Sequence, residues 1–232
     1  SSADMARYFA DHGWDDITIA FPFNVLEISK INRLAQEVDL GLLVESTTVV
    51  RFLAEHLASQ VKVWIKIDVG AYRTGVVWTE SPDILQVARA VAGSDAMQLA
   101  GILTHAGHSY AADSRDEIRD IHAESVSRMN QVRVDLIRAG FRDVRVSVGD
   151  SPTASVVRNF SEVDELRPGA FVFYDLKQLR LGACEESHLA LALACPVVAK
   201  HEDRGQVVLY GGAVHLSKDW LPGPDGSPIF GQ

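Results

Sequence analysis

Along most of the chain, short runs that are apolar on nearly every position alternate with longer stretches whose apolar residues recur every three to four positions. The short runs read as strands at Asp16–Phe21, Leu40–Val44, Lys62–Val69, Leu99–His105, Asp143–Val148 and Glu165–Phe173. The longer stretches read as helices at Val25–Glu37, Thr47–Ser59, Ser81–Val91 and Ser114–Ala139, with a short one from Thr153 and a helical pattern at the opening. Such alternation marks βα units on a parallel sheet whose faces are covered by helices. Six units fit a (β/α)8 TIM-type barrel whose first two strands are missing from this chain, or a six-stranded open sheet. After Asp175 the rhythm changes. Two apolar runs, Leu189–Lys200 and Gln206–Gly211, flank the polar turn His201–Gly205, which is the pattern of a β-hairpin. The turn-rich tail Leu221–Pro228 shows no closing element. The expected organisation is therefore an α/β barrel over 1–180, incomplete at its N-terminus, and the beginning of a C-terminal β domain over 181–232.

Composition narrows the class. The 232 residues are 47% hydrophobic and 23% charged, as in ordinary globular domains. A net charge of −9, with no basic stripe, argues against a nucleic-acid partner. No apolar stretch approaches the roughly 20 residues that a membrane helix needs. Cys184 and Cys195 form no CxxC pair, so the expectation is two buried free thiols in a cytoplasmic protein. A chain that opens on Ser1 rather than Met reads as a fragment.

Four segments carry candidate chemistry. In Lys62–Asp68, Val63, Ile65 and Ile67 share one face of a strand, and Trp64, Lys66 and Asp68 share the other. In a barrel the aliphatic face meets the helices, so Lys66 and Asp68 point inward, and the Gly-bounded loop Val69–Gly75 presents Arg73 at the carboxyl end where barrel sites lie. Lys66, Asp68 and Arg73 either serve a ligand or merely neutralise one another. The segment Thr104–Tyr110 gathers His105, His108 and Tyr110 at another strand's carboxyl end, with His108 and Tyr110 as proton-transfer candidates. Zinc competes there, but a third ligand at suitable spacing is missing. Ser147-Val148-Gly149-Asp150-Ser151-Pro152-Thr153 leads into a helix, reading either as an anion site or as a plain N-cap. Finally, Pro168 and Gly169 interrupt the strand read at Glu165–Phe173, where Gly169 and Ala170 can offer backbone N–H groups to the same anion.

Together, Lys66–Gly75, Gly101–His108, Ser147–Thr153 and Arg167–Phe173, in this order, resemble the fold-type III pyridoxal-phosphate enzymes: the alanine racemases, D-threonine aldolases and D-serine dehydratases. Gly211–Asp219 is similar to the segment that leaves the β domain in aldolase-type members. The resemblance implies a barrel that holds pyridoxal 5'-phosphate, a C-terminal β domain, and a homodimer acting on a small amino acid. It places Arg73 near the cofactor's phenolic oxygen, with Lys66 supporting it at a position that bears a carbamate in some racemases. It places His105 beside the pyridine ring. Ser147, Gly149, Ser151 and Thr153, with the backbone of Gly169 and Ala170, would take the phosphate. Arg167 would face the pyridine nitrogen and leave it unprotonated, because a guanidinium keeps its own proton. Asp150 falls beside the phosphate without an evident role.

Two family features have no counterpart in these residues. The cofactor-attachment lysine sits on the family's first barrel strand in a segment resembling Arg-Pro-His-x-Lys-Thr, and any divalent metal would be bound by residues outside this chain. The expected function is pyridoxal-phosphate chemistry at Cα of a small D-amino or 3-hydroxy amino acid, as in the aldolases and dehydratases or in a racemase. The alternatives are a non-catalytic carrier of the cofactor, an aldolase of the phosphate-binding barrel type using Lys66, and an inactive remnant.

Overall fold

In a computed structural model, which describes residues 2–212, 215 and 218–231, the apolar runs become one curled parallel sheet. Its strands are β1 (Asp16–Pro22), β2 (Asp39–Val44), β3 (Val61–Asp68), β4 (Val76–Val77), β5 (Met97–Leu103), β6 (Arg145–Val148) and β7 (Glu165–Leu166). They run β1-β2-β3-β5-β6-β7, and short β4 pairs with the carboxyl end of β3. The helices are α1 (Ala3–Asp11), α2 (Ile28–Leu34), α3 (Thr47–His56), α4 (Ser81–Ala92), α5 (Arg115–Arg138), α6 (Ser151–Val156) and α7 (Leu176–Arg180). Side chains fix several starts: the hydroxyls of Ser2, Ser46 and Ser114 accept from the backbone N–H three residues on.

The period-2 reading of β3 decides the layering. Val61, Val63, Ile65 and Ile67 are buried against Val50 and Leu53 of α3, Ile84 and Val87 of α4, and Met129 and Val132 of α5. Each such aliphatic side chain contributes roughly 1.5–3 kcal/mol by leaving water. On the opposite, concave face Trp64 packs with Leu43, Ala100 and Leu103, and the Arg145 guanidinium lies 4.8 Å from its ring centroid. Above Trp64, toward the carboxyl end, come Lys66 and Asp68.

Several expectations are corrected. The strand read at Glu165–Phe173 ends at Leu166, because Pro168 has no N–H for a ladder, and Ala170–Val172 form a 3-10 turn. Val25–Glu37 divides into a 3-10 turn at Val25–Glu27 and the shorter α2. The hairpin is present, but its first strand, β8 (Val197–His201), starts later than Leu189. β8 pairs antiparallel with β9 (Gln206–Leu209) around Gly205 at φ +60. The tail does close, through a ladder between β10 (Leu221–Pro222) and β11 (Pro228–Ile229). Cys184 and Cys195 are free but only half-buried. Of the Gly211–Asp219 segment, Ala213, Val214, Leu216 and Ser217 lie outside the described residues. Among those described, no helix is long and apolar enough to cross a membrane.

Candidate active site

The carboxyl ends of the strands surround a cavity of about 500 Å³ whose chemistry comes from Lys66, Arg73, His105, Tyr110, Asp150 and Arg167. β1 and β2 supply a flatter wall of Thr18, Ala20, Phe21, Pro22 and Leu43.

Among the described residues no salt bridge joins Lys66, Asp68 and Arg73, and the Asp68 charge offsets that of Lys66 only in part. Asp68 Oδ1 accepts from the backbone N–H groups of Gly70, Ala71 and Tyr72 at 2.9, 3.0 and 3.2 Å. The far end of the same loop is tied by Gly75 N–H to Glu45 Oε2 at 2.7 Å. Gly75 has φ +111, and a Cβ there would stand 2.8 Å from the Asp68 nitrogen, so the loop returns to the sheet only through glycine. From outside, Arg128 of α5 donates to Val69 O at 2.5 Å and pairs with Glu124. A loop fastened at both ends carries Arg73 to the cavity, and no acidic side chain pairs with Arg73 among the described residues.

Lys66 is 4% exposed. Burial, then the positive charges of Arg167 and Arg73, lower its pKa to about 7. Below that pH the ammonium is charged in both folded and unfolded chains, and the fold bears its full burial cost. Between about 7 and the ordinary lysine value the unfolded chain binds the extra proton, so stability rises with pH. Lys66→Met is therefore expected to stabilise the ligand-free protein, more at about pH 6 than at about pH 9. Urea unfolding of both proteins at the two pH values checks this, and an equal gain at both would contradict it.

Arg167 bridges three strands' ends. Its Nε donates to Ser147 Oγ at 2.6 Å, and its Nη2 donates to Thr104 O at 2.6 Å and to Ser147 O at 3.2 Å. Glu165 lies 3.4 Å away and accepts the Ser147 hydroxyl at 2.5 Å. Burial lowers the Arg167 pKa to about 10, well within the range where it stays charged at neutral pH. The approach is so close that a Cβ on Gly149 would meet the Arg167 Cβ, Nη1 and O at 2.9 Å. Ser147 is thus wholly buried and its hydroxyl is engaged by Glu165 and Arg167.

His105 Nδ1 lies 2.6 Å from Gly149 O. A carbonyl only accepts, so Nδ1 carries the proton and Nε2 keeps its lone pair. Burial, with Arg73 and Lys66 nearby, holds the imidazole pKa below its ordinary value. Tyr110 lies 6.1 Å from it, ring to ring, and its hydroxyl accepts from Ser151 N–H at 3.1 Å. Asp150 caps α6 by accepting from Thr153 N and Oγ1, both at 2.8 Å. Ser151 Oγ accepts from Ala170 N at 2.9 Å, while Gly169 lines the cavity beside open space.

The structure thus brings Lys66, Arg73, His105, Tyr110, Arg167 and Gly169 around one cavity, with Gly149, Ser151 and Ala170 at its α6 edge. His108 stands apart. Its ring lies behind Gly70, where a Cβ would come 3.9 Å from it, and its Nδ1 is buried without a partner among the described residues. Sequence reasoning missed Glu45 and Arg128. An acid directly following β2 was a usable signal for Glu45, whereas Arg128, in the middle of α5, had none.

Lys66, Arg73 and Arg167 thus gather at the carboxyl end of a parallel α/β barrel sheet. The chain belongs to the alanine racemase N-terminal domain family, whose model matches residues 8–177. It is 32% identical over 223 residues to the D-threo-3-hydroxyaspartate dehydratase of Delftia sp. (strain HT23), covering 94% of this chain and 58% of that protein. It is 26% identical to the D-serine dehydratase of Dictyostelium discoideum, over 81% of this chain and 53% of that one. The solved structure of the Delftia dehydratase matches 95% of this chain and 59% of its own, with a TM-score of 0.87 at 29% identity. D-threonine aldolase from Filomicrobium marinum shares the fold, with a TM-score of 0.75 at 19% identity. These matches decide for the barrel over a separate open sheet. The chain spans just over half the length of these relatives.

Proposed function

We propose that the cavity binds pyridoxal 5'-phosphate and serves a lyase acting on small D-3-hydroxy amino acids. The observation that carries this reading is the electrostatic surplus: Lys66, Arg73 and Arg167 converge on one cavity, and among the described residues neither Lys66 nor Arg73 has a carboxylate in salt-bridge contact. A buried excess of positive charge costs free energy that an anionic, planar ligand offsets. The residues fit such a group. Arg73 would meet its phenolic oxygen, the neutral His105 would lie against its ring, and Arg167 would face the ring nitrogen. Gly149, Ser151, Gly169 and Ala170 would take the phosphate. The N–H groups of Ser151 and Ala170 now bond Tyr110 and Ser151, so binding exchanges protein bonds for phosphate bonds. Thr153 stays with Asp150.

When bound, this cofactor supplies an electron sink that acidifies Cα of an attached amino acid. The chain's own residues then set where protons go. The Tyr110 hydroxyl, released when Ser151 N–H turns to the phosphate, would donate its O–H proton to a departing 3-hydroxyl. Lys66, near neutrality, can hold or release a proton beside Arg73. His108, behind Gly70, takes no part. As the family resemblance implies, we place any divalent metal, like the attachment lysine, on residues outside this chain. The relatives' names favour dehydration. A homodimer, supplied by the family resemblance, and a cytoplasmic location, read from the cysteines and the lack of a long apolar stretch, are parts of the same reading.

Incubating pyridoxal phosphate and the full-length protein that carries the attachment lysine with D-serine, D-threonine or D-threo-3-hydroxyaspartate tests the reaction, and the 232-residue chain alone is expected to give no product. Ammonia and a 2-oxo acid are expected. Glycine plus an aldehyde would shift the reading to an aldolase, and the L-enantiomer to a racemase. Cofactor binding with no product would favour a carrier. Borohydride reduction and peptide mapping complete the test: Lys66 is the only lysine among the described residues that lines the cavity, and label there would overturn an attachment site outside the chain.

A further inference from the structure

Three consecutive residues after β6 bond three residues of the segment after β5. Gly149 O pairs with His105 Nδ1 at 2.6 Å, Asp150 Oδ1 with Ser109 Oγ at 2.7 Å, and Ser151 N with Tyr110 OH at 3.1 Å. The two outer partners, His105 and Tyr110, line the cavity, and the central one, Ser109, is wholly buried. The two loops are thus laced together, and Asp150 is the only charged member of the lacing.

Helix capping alone does not account for this carboxylate. Asn or Ser would cap α6 about as well, without burying a charge. Asp150 is 3% exposed and has no salt-bridge partner among the described residues, yet each of its oxygens is satisfied: Oδ1 by Ser109 Oγ and Thr153 N, Oδ2 by Thr153 Oγ1. Charge-assisted bonds are the stronger kind, and this set ties an α6 cap to a residue on a different loop.

We propose that Asp150 is a positioning residue: by anchoring Ser109 it holds His105 and Tyr110 at the cavity wall, in the orientation in which they meet the ligand. The ligand part rests on the reading above, whereas the lacing stands on the protein alone. A positioning residue predicts losses that propagate through Ser109, and a mere cap predicts none.

The test compares wild type with Asp150→Ala, Asp150→Asn and Ser109→Ala. It measures amide hydrogen exchange in the ligand-free protein and the dissociation constant for pyridoxal phosphate. Ser109→Ala keeps the α6 cap and cuts only the tie. It is expected to speed exchange in residues 105–111 and at Ser151, whose N–H bonds Tyr110, to leave 153–156 unchanged, and to weaken pyridoxal phosphate roughly tenfold, the loss of one buried charge-assisted bond. Asp150→Asn keeps an acceptor for Ser109 but loses the charge, so its binding is expected to fall between wild type and Ser109→Ala, while Asp150→Ala matches or exceeds the Ser109→Ala loss. Unchanged exchange in 105–111 for Ser109→Ala would overturn the lacing. Faster exchange there, with no binding of pyridoxal phosphate even by wild type, would uphold the positioning and overturn the cofactor reading.

Discussion

Gly101→Ala is expected to destabilise the fold strongly. Gly101 sits in β5 at φ +153, where the pairing with β3 slips: Val63 faces Leu99, but Trp64 faces Gly101. A Cβ there would lie 2.8 Å from both the carbonyl carbon and the nitrogen of Arg145, and nearer still to its oxygen. Those are backbone atoms of β6 and cannot swing aside. Overpacking of this kind costs about 1–3 kcal/mol and a strained backbone a further 1–3 kcal/mol. A total of about 2–6 kcal/mol removes a large share of the ~5–15 kcal/mol that holds a domain together. Thermal unfolding followed by circular dichroism should show the midpoint fall by roughly 4–24 °C. A fall of less than about 2 °C would mean that β5 and β6 do not approach as described.

Arg167→Ala is the second large effect. It removes the donor to Thr104 O, Ser147 O and Ser147 Oγ at once, and strips Glu165 of its cation. Breaking a buried pair typically costs about 3–5 kcal/mol; since Glu165 keeps some water contact, the lower end, about 3 kcal/mol, applies here. Thermal unfolding should detect a fall of roughly 6–12 °C. Arg167→Lys is expected to recover little, because an ammonium cannot reproduce the planar fork that reaches Thr104 and Ser147 together. Full recovery by lysine would show that charge alone matters there. The Lys66 pKa offers a second readout, since removing the nearby Arg167 charge should let it rise.

How much of this was legible in the sequence depended on distance along the chain. The two faces of β3 followed from period 2 alone, since Val63, Ile65 and Ile67 alternate with Trp64, Lys66 and Asp68. The hairpin followed from a polar, Gly-containing turn between apolar runs. What the three ions around Lys66 do was not legible. Spacing left neutralisation and ligand binding equally open, and the answer turned on backbone amides folding back onto Asp68, with Gly70 at φ +121 and Tyr72 at φ +50. A positive φ at tyrosine has no sequence signal. Phe171, Val172 and Phe173 read as strand because they are apolar, yet they are about half exposed around a 3-10 turn that Pro168 forces out of the ladder. The meeting of Arg167 with Thr104 spans 63 positions. The family resemblance put those segments in one site and placed Ser147 there as well, while His108 came from the cluster at Thr104–Tyr110; tertiary packing draws His108 behind Gly70 and Ser147 behind Arg167.

The central claim is that the cationic cavity is a pyridoxal-phosphate site. Titrating the wild-type chain and Arg73→Ala with pyridoxal phosphate, and with pyridoxal as the phosphate-free control, tests it most directly by calorimetry. One saturable site per chain is expected. It should weaken by roughly 10- to 100-fold in Arg73→Ala, the loss of one charge-assisted contact, and weaken again for pyridoxal. Binding that is indifferent to Arg73, or no saturable binding at all, would contradict the account.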